Sequence, residues 1–379
     1  MAISFSKSIS VLKLLNTYNN NVVEFTSDDT LDATKCNINL GGLDFEITPI
    51  NNVFRFNYKE VVSALINSNN FKDSIIPTSN FEGDTSLSGS YLVTYTITFA
   101  DTSTEQTTQT YVFLKSVEQI ANVSNRLLTE QQILCNTKLT AFKGYPFDVG
   151  YYLEGDVIIT NTATGYSFTL KETSVGTNRI FFMLGNNLPF GETLYNGRVL
   201  NLGGVVENNA CITWLDLLSV GYNNITVSNG TTKTLEIKLN DISCGGTYLK
   251  WFNLEKGAWN YWLFNPIHRD TLKTKTLDDF NVDFNSIDET YTTSLITGKT
   301  AIKERNLTAL TLEEYEMEQI KSLFTSPRVE LYNGTYGDTV TAASWQTVKV
   351  RDKSITTSNT KRDLIDVKLT IEINQYTNA

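Results

Sequence analysis

The chain has one histidine, three methionines, six prolines and four cysteines in 379 residues. With His268 the only imidazole, a multi-histidine metal centre is excluded, and any Ser/His or Cys/His mechanism would rest on one side chain. That side chain falls in Asn265-Pro266-Ile267-His268-Arg269-Asp270, a polar stretch with no nucleophile motif, and reads as a solvated loop residue. Cys36, Cys135, Cys211 and Cys244 are far apart and form no CxxC pair, so buried free thiols are expected rather than a zinc ribbon or a disulfide framework.

Positive charge is also scarce. Thirty-one Lys and Arg stand against 41 Asp and Glu, a net charge of −10. Counterion release from a nucleic-acid backbone needs clustered cations, so no nucleic-acid partner is expected. Long apolar runs are missing as well. The best one near the start, residues 9–15, is broken by Ser10 and Lys13, too short and polar for an export signal or a membrane span. The expectation is a product made in the cytoplasm without a signal peptide and not inserted in a membrane.

Motifs for cofactors and metals are missing in turn. Gly41-Gly42, Gly203-Gly204 and Gly245-Gly246 lack the Lys and Ser/Thr of a phosphate loop and read as turns. Asp28-Asp29 and Asp278-Asp279 do not fit calcium-loop spacing. No catalytic residue, cofactor or metal is assigned, and the chain is expected not to be an enzyme. A glycosidase needs only two facing carboxylates, and facing is not legible in a sequence.

What the chain has is Thr, Asn, Val, Ile, Tyr and Phe, with 41% hydrophobic, 11% aromatic and only 19% charged residues. This composition favours strands and polar turns. The fold class predicted is mainly β, tandem β-sandwich domains with two short helices. Two-residue alternation marks strands at residues 37–40, 53–56, 91–99 and 109–114, then at 150–153, 157–160, 166–171, 179–184, 212–218, 224–227 and 234–239. Asn57 and Glu60 give a capping-box-like start to a helix over residues 58–68. Thr311 and Glu314 suggest a second box, opening a helix that ends at Ser326-Pro327. Strands return at 328–332, 346–350 and 366–373. The domains expected are an N-terminal β-sandwich over 1–118, a second over 119–254, and a C-terminal α+β region over 255–379 with its helix, about 311–325, on a sheet.

Three of the five tryptophans fall between Tyr248 and Phe264. Asn253 to Gly257 reads as a turn and its flanks alternate, so this is a β-hairpin with aromatic cross-strand pairs. Trp251, Trp259, Tyr261 and Trp262 are the candidate interaction residues. Strand alternation lets one face serve the core and the other a partner. Trp251 and Trp259 are expected to stabilise the fold, and Tyr261 is the best candidate for a contact.

Leu249-Lys250-Trp251-Phe252-Asn253 with Gly257-Ala258-Trp259-Asn260-Tyr261-Trp262-Leu263-Phe264 resembles a hairpin of virion proteins from tailed phages and prophages of Bacteroidetes hosts. Phe54 to Val62 is similar to the strand-into-helix segment of their first sandwich. Leu331-Tyr332, Trp345 to Asp352 and Val367 to Glu372 are similar to C-terminal strands of tail-tip components. The resemblance covers about a quarter of the chain. It implies a virion structural protein of distal-tail or baseplate type, a homo-oligomer or ring contacting other virion proteins, with no active site. A carbohydrate- or receptor-binding β-sandwich and a β-sandwich glycan hydrolase are the alternatives.

Overall fold

Apolar residues alternating along residues 3–114 leave a sheet no choice but to bury one face, and here two sheets bury theirs against each other. The computed structural model describes residues 3–28, 32–73, 75, 81–118, 126–128, 130, 132–153, 156–163, 165, 167–170, 176–182, 200–202, 205–207, 218–242, 245–277, 279–281, 294–296, 298–334, 344–351 and 365–378. The fold is mainly β, with tandem β-sandwiches and two short α-helices.

The first region holds β1 (Ile3–Lys7), β2 (Leu14–Asn16), β3 (Val22–Ser27), β4 (Ala33–Leu40), β5 (Leu43–Ile47), β6 (Phe54–Asn57), helix α1 (Lys59–Ile66), β7 (Phe81–Gly83), β8 (Ser88–Phe99) and β9 (Thr104–Leu114). A sheet ordered β1-β3-β6 faces one ordered β2-β9-β8-β4-β5. Phe25, Ile38, Phe54, Tyr95 and Phe113 fill the space between them, and Val62 and Ile66 of α1 close it. Asn57 accepts the Lys59 amide at 3.1 Å, while the residue at the helix cap is Tyr58.

The second region holds β10 (Gln132–Ile133), β11 (Lys138–Phe142), β12 (Phe147–Leu153), β13 (Val157–Asn161), β14 (Ser167–Leu170), β15 (Gly176–Phe182), β16 (Leu200–Leu202), β17 (Val205–Glu207), β18 (Gly221–Asn229) and β19 (Thr231–Asn240). A sheet ordered β10-β12-β15-β7 packs with one ordered β11-β19-β18-β13-β14. Strand β7 comes from within residues 1–118 yet pairs with β15, so the first two regions are stitched together by backbone hydrogen bonds.

The last region holds β20 (Thr247–Asn253), β21 (Ala258–Phe264), β22 (Arg269–Thr276), β23 (Asp279–Asn281), β24 (Ser294–Ile296), β25 (Lys299–Leu312), α2 (Glu314–Lys321), β26 (Val329–Tyr332), β27 (Trp345–Val350) and β28 (Ile365–Asn378). Seven of these strands form one sheet, ordered β21-β20-β26-β27-β28-β25-β22. The expected boundary after residue 254 therefore falls inside the turn joining β20 to β21, two strands paired over their whole length. One continuous core, from Phe71 to Ile371, also runs through both the second sandwich and this sheet. The capping box is displaced by two residues: Glu313 and Glu316 form it, because β25 keeps Thr311 in the sheet up to Leu312. Residues 212–217 of the strand expected at 212–218, the Gly203-Gly204 turn, Asp29, Asp278, Cys211 and Cys244 lie outside the described residues.

Candidate functional site

Register in the hairpin places Tyr248, Lys250 and Phe252 opposite Leu263, Tyr261 and Trp259 on one face. Leu249 and Trp251 stand opposite Trp262 and Asn260 on the other. Every residue of both strands is buried. The expected division, one face for the core and one for a partner, is corrected here: both faces are covered within a single chain. At Gly257 the turn takes φ +72°, and an added Cβ would lie 2.9 Å from Leu114 of β9, so the hairpin tip sits tight against the first sandwich.

On the Trp251 face, α2 and the 3-10 turn that follows it supply the polar partners. Trp251 Nε1 donates to Ser322 Oγ at 2.9 Å, and Asn260 donates to the Gln319 carbonyl at 3.2 Å. The Gln319 side chain accepts from the Thr140 amide at 2.8 Å and donates to the Thr140 and Tyr261 carbonyls at 3.1 and 2.9 Å. It thereby caps the edge of β11 as a backbone strand would. Trp262 meets the Phe142 ring edge-on at 5.2 Å.

The opposite face holds charge. Lys250, 3% exposed, reaches Asp73 Oδ2 at 3.0 Å and Glu330 Oε2 at 2.9 Å. Its ammonium also lies 4.3 and 4.8 Å from the ring centroids of Trp345 and Trp259, a cation–π cage. Arg179 donates to both oxygens of Asp148, to both oxygens of Asp73 and, at 3.3 Å, to Asp84. Tyr261 donates its hydroxyl to Asp148, and Arg328 pairs with Glu330 at 2.8 Å. Asp73 and Asp84 come from the first region, Asp148 and Arg179 from the second, Lys250, Tyr261 and Glu330 from the last. All three regions thus converge on one buried ionic network.

Isolated charges here would cost several kcal/mol each to desolvate, so the network persists only because each is paired. Burial pushes the Asp73 carboxyl up, but Arg179 and Lys250 outweigh it and hold it well below the usual carboxylate range. Burial, then the Asp148 charge, push the Tyr261 hydroxyl well up, so it stays a hydrogen-bond donor. Nearby, Lys115 donates to Asn69 Oδ1 at 2.8 Å and lies 4.6 Å from the Phe71 ring centroid. Burial lowers its pKa to about 8 against the pull of Asp84.

Chemically, the network is closed. The cavity beside Asp148 and Tyr261 is about 20 Å³, room for a water molecule and not for an organic substrate. Among the described residues, two larger grooves lie elsewhere. One of about 400 Å³ runs between Phe324 and β27, and one of about 480 Å³ between Ser88, Val112, Tyr152 and Thr177. No carboxylate lines either. Among the described residues no group of three or more His, Cys, Asp or Glu could hold a metal ion, and no helix is long and apolar enough to cross a membrane.

His268 lies exposed in the loop before β22, Nδ1 2.9 Å from the Pro266 carbonyl oxygen. Cys36 and Cys135 are buried free thiols. Of the exposed large apolar side chains described, Tyr222, 56% exposed, is the only aromatic one. Sequence reasoning missed Asp73, Asp148, Arg179 and Lys250. The available signal was a lone cation inside an apolar strand, as in Thr247-Tyr248-Leu249-Lys250-Trp251-Phe252 and Thr177-Asn178-Arg179-Ile180-Phe181.

No family model matches the sequence, and no curated protein matches it. Among solved structures, fibronectin(III)-like modules of Clostridium thermocellum CbhA align at 6% identity and TM-score 0.20, over 63% of this chain and 95% of theirs. A structure concerning host cell surface retention of a 1.5-MDa bacterial ice-binding adhesin aligns at 10% identity and TM-score 0.19, over 81% of this chain and 92% of its own. SGBP-B of the Bacteroides ovatus mixed-linkage glucan utilization locus, in complex with a heptasaccharide, aligns at 8% identity and TM-score 0.18, over 66% and 82%. Likenesses this distant transfer neither architecture nor function.

Proposed function

We propose that this chain is a structural component of a tailed-phage virion, an oligomeric tail or baseplate adaptor that works through protein–protein contacts. The observation that carries the reading is the buried network of Arg179 and Lys250, which ties segments of all three regions into one block. An adaptor must transmit force and hold its surfaces in fixed relation, and paired buried charges resist sliding between packed elements because any shift strands a charge. The hairpin that resembles those of Bacteroidetes phage virion proteins supplies one side of this network. The functional residues are then structural: Trp251, Trp259, Tyr261 and Trp262 fasten the block instead of touching a neighbour. A carbohydrate- or receptor-binding module would call on exposed aromatic rings, and the hairpin tryptophans are buried.

Mass spectrometry of particles purified from a host carrying the gene tests the reading. The chain should be present in multiple copies per particle, and the purified protein should form ring-shaped assemblies under negative-stain microscopy. Absence from particles, or specific glycan retention by a monomer, would refute it.

A further inference from the structure

One buried amine stands apart from the ionic network. Lys115, directly after β9, is 1% exposed. Among the described residues it enters no ion pair, and its Nζ donates instead to Asn69 Oδ1, the oxygen of a neutral amide, at 2.8 Å. The Phe71 and Phe252 rings flank it, their centroids 4.6 and 5.9 Å from Nζ. Asn69 is fixed at its other end, where Nδ2 donates to the Lys72 carbonyl at 2.9 Å in a hydrogen bond open to water. The turn that carries it is strained: Asn70 and Phe71 both take left-handed backbone angles, φ +48° and +56°, which a bulky residue such as phenylalanine rarely adopts. That backbone seats the Phe71 ring against the amine while Asn69 presents its carbonyl. Burial lowers the Lys115 pKa to about 8 against the pull of Asp84, so neutral amine, a nucleophile, is present near neutral pH.

We propose that Lys115 Nζ and Asn69 Cγ join in an intramolecular isopeptide bond, tying the turn after α1 to the end of β9 with release of ammonia. The bond goes beyond the adaptor reading and does not depend on it. Cγ is one carbonyl bond past the oxygen that Nζ already contacts, so a small side-chain rotation brings the nitrogen lone pair onto it. That lone pair forms the new N–C bond as the carbonyl π pair moves onto Oδ1. Its return expels Nδ2 as ammonia, carrying the proton that Nζ gives up. One amide is exchanged for another, so no oxidant or reductant enters, and escape of ammonia to solvent makes the exchange one-way. Asp84, buried in the turn before β8, favours through its charge the cationic nitrogen that forms during attack. The two flanking rings keep out water, the competing nucleophile. Lys250, also buried, has no such route: Arg179 holds its partner Asp73 ionised, and a carboxylate anion resists attack by an amine. The Lys115–Asn69 bond links residues 46 positions apart, and a closed loop lowers the entropy of the unfolded chain. A bonded Lys115 no longer titrates, so the lowered pKa belongs to the unreacted chain.

Intact-mass spectrometry of the purified full chain, followed by peptide mapping, provides the test. After incubation of the folded protein above the Lys115 pKa of about 8, the chain should be lighter than its sequence by one ammonia. Digestion should yield a branched peptide joining the Lys115 segment to the Asn69 segment. Lys115→Arg keeps a cation beside the Phe71 ring and Asn69→Ala removes the acceptor, and both should keep the full sequence mass. The readout on the wild type does not depend on either variant folding. A wild type that stays at full sequence mass overturns the bond. So does an ammonia loss found only in linear peptides, which would be ring closure at some other asparagine, or one that persists in Lys115→Arg. The oligomeric adaptor stands or falls separately, on particle composition and ring formation.

Discussion

Arg179 grips Asp148 with two parallel hydrogen bonds, Nε and Nη2 donating at 2.9 and 2.8 Å, and both side chains are excluded from water. A guanidinium and a carboxylate match in this fork geometry, which adds direction to charge attraction. The remaining donors turn to Asp73 and Asp84, so one cation fixes three acids from two regions of the chain.

Removing that cation should be costly. Arg179→Met leaves three buried acids to Lys250, Tyr261 and whatever water can enter, and should destabilise by about 3–5 kcal/mol in urea unfolding. Arg179→Lys keeps the charge without the fork and should fall between the two. A loss below about 1 kcal/mol for the Met variant, in the range of exposed pairs, would contradict a closed network.

In the hairpin, Trp251→Ala removes a fully buried indole and the donor to Ser322, and should cost about 3–5 kcal/mol. Tyr261→Phe keeps the ring and drops only the bond to Asp148, for about 1–3 kcal/mol. Unfolding midpoints of the isolated chain measure both. If Tyr261→Phe spared stability while abolishing assembly, the hydroxyl would have to face a neighbour rather than Asp148.

Acid should loosen the junction. Asp73 is held below its unfolded pKa, so the folded state binds fewer protons; its stabilisation is full above about pH 4 and is lost as pH falls toward the depressed folded value. In Asp73→Asn this part of the acid-unfolding slope should disappear. An identical slope in the variant would mean that other carboxylates control acid unfolding.

At the alkaline end a cation gives a slope of the same sign. Lys115 has its pKa lowered to about 8 in the fold, so between there and its unfolded value near about 10.4 the unfolded chain binds more protons and stability rises with pH. Lys115→Met should flatten that rise. Stability curves of the two proteins from pH 7 to about 10 would differ in slope, and parallel curves would rule the contribution out.

Thiol chemistry gives a simpler readout. Burial pushes the Cys36 and Cys135 thiols up to about 12, so neither is nucleophilic at neutral pH. Both should resist a thiol reagent in the folded protein and react once it is unfolded, as peptide mapping of the labelled chain would show. Rapid labelling of either under native conditions would mean local opening.

The class of the fold was written in the order of residues. Alternation at 91–99 and 109–114 foretold β8 and β9 because a half-buried strand must place every second side chain inside, and the aromatic run foretold the β20–β21 hairpin. Where both faces are wet or polar the pattern fades, which is why β22 and the first half of β25, with Lys, Thr and Glu on each side, gave no signal. Only tertiary structure decided that the hairpin is covered on both faces, that its turn is no domain boundary, and that Asp73, Asp84, Asp148, Arg179, Lys250 and Glu330 meet. Those residues are up to 257 positions apart, from 73 to 330, and nothing local links them. A lone charge inside an apolar strand announces that it needs a partner; which partner arrives depends on how the sheets pack.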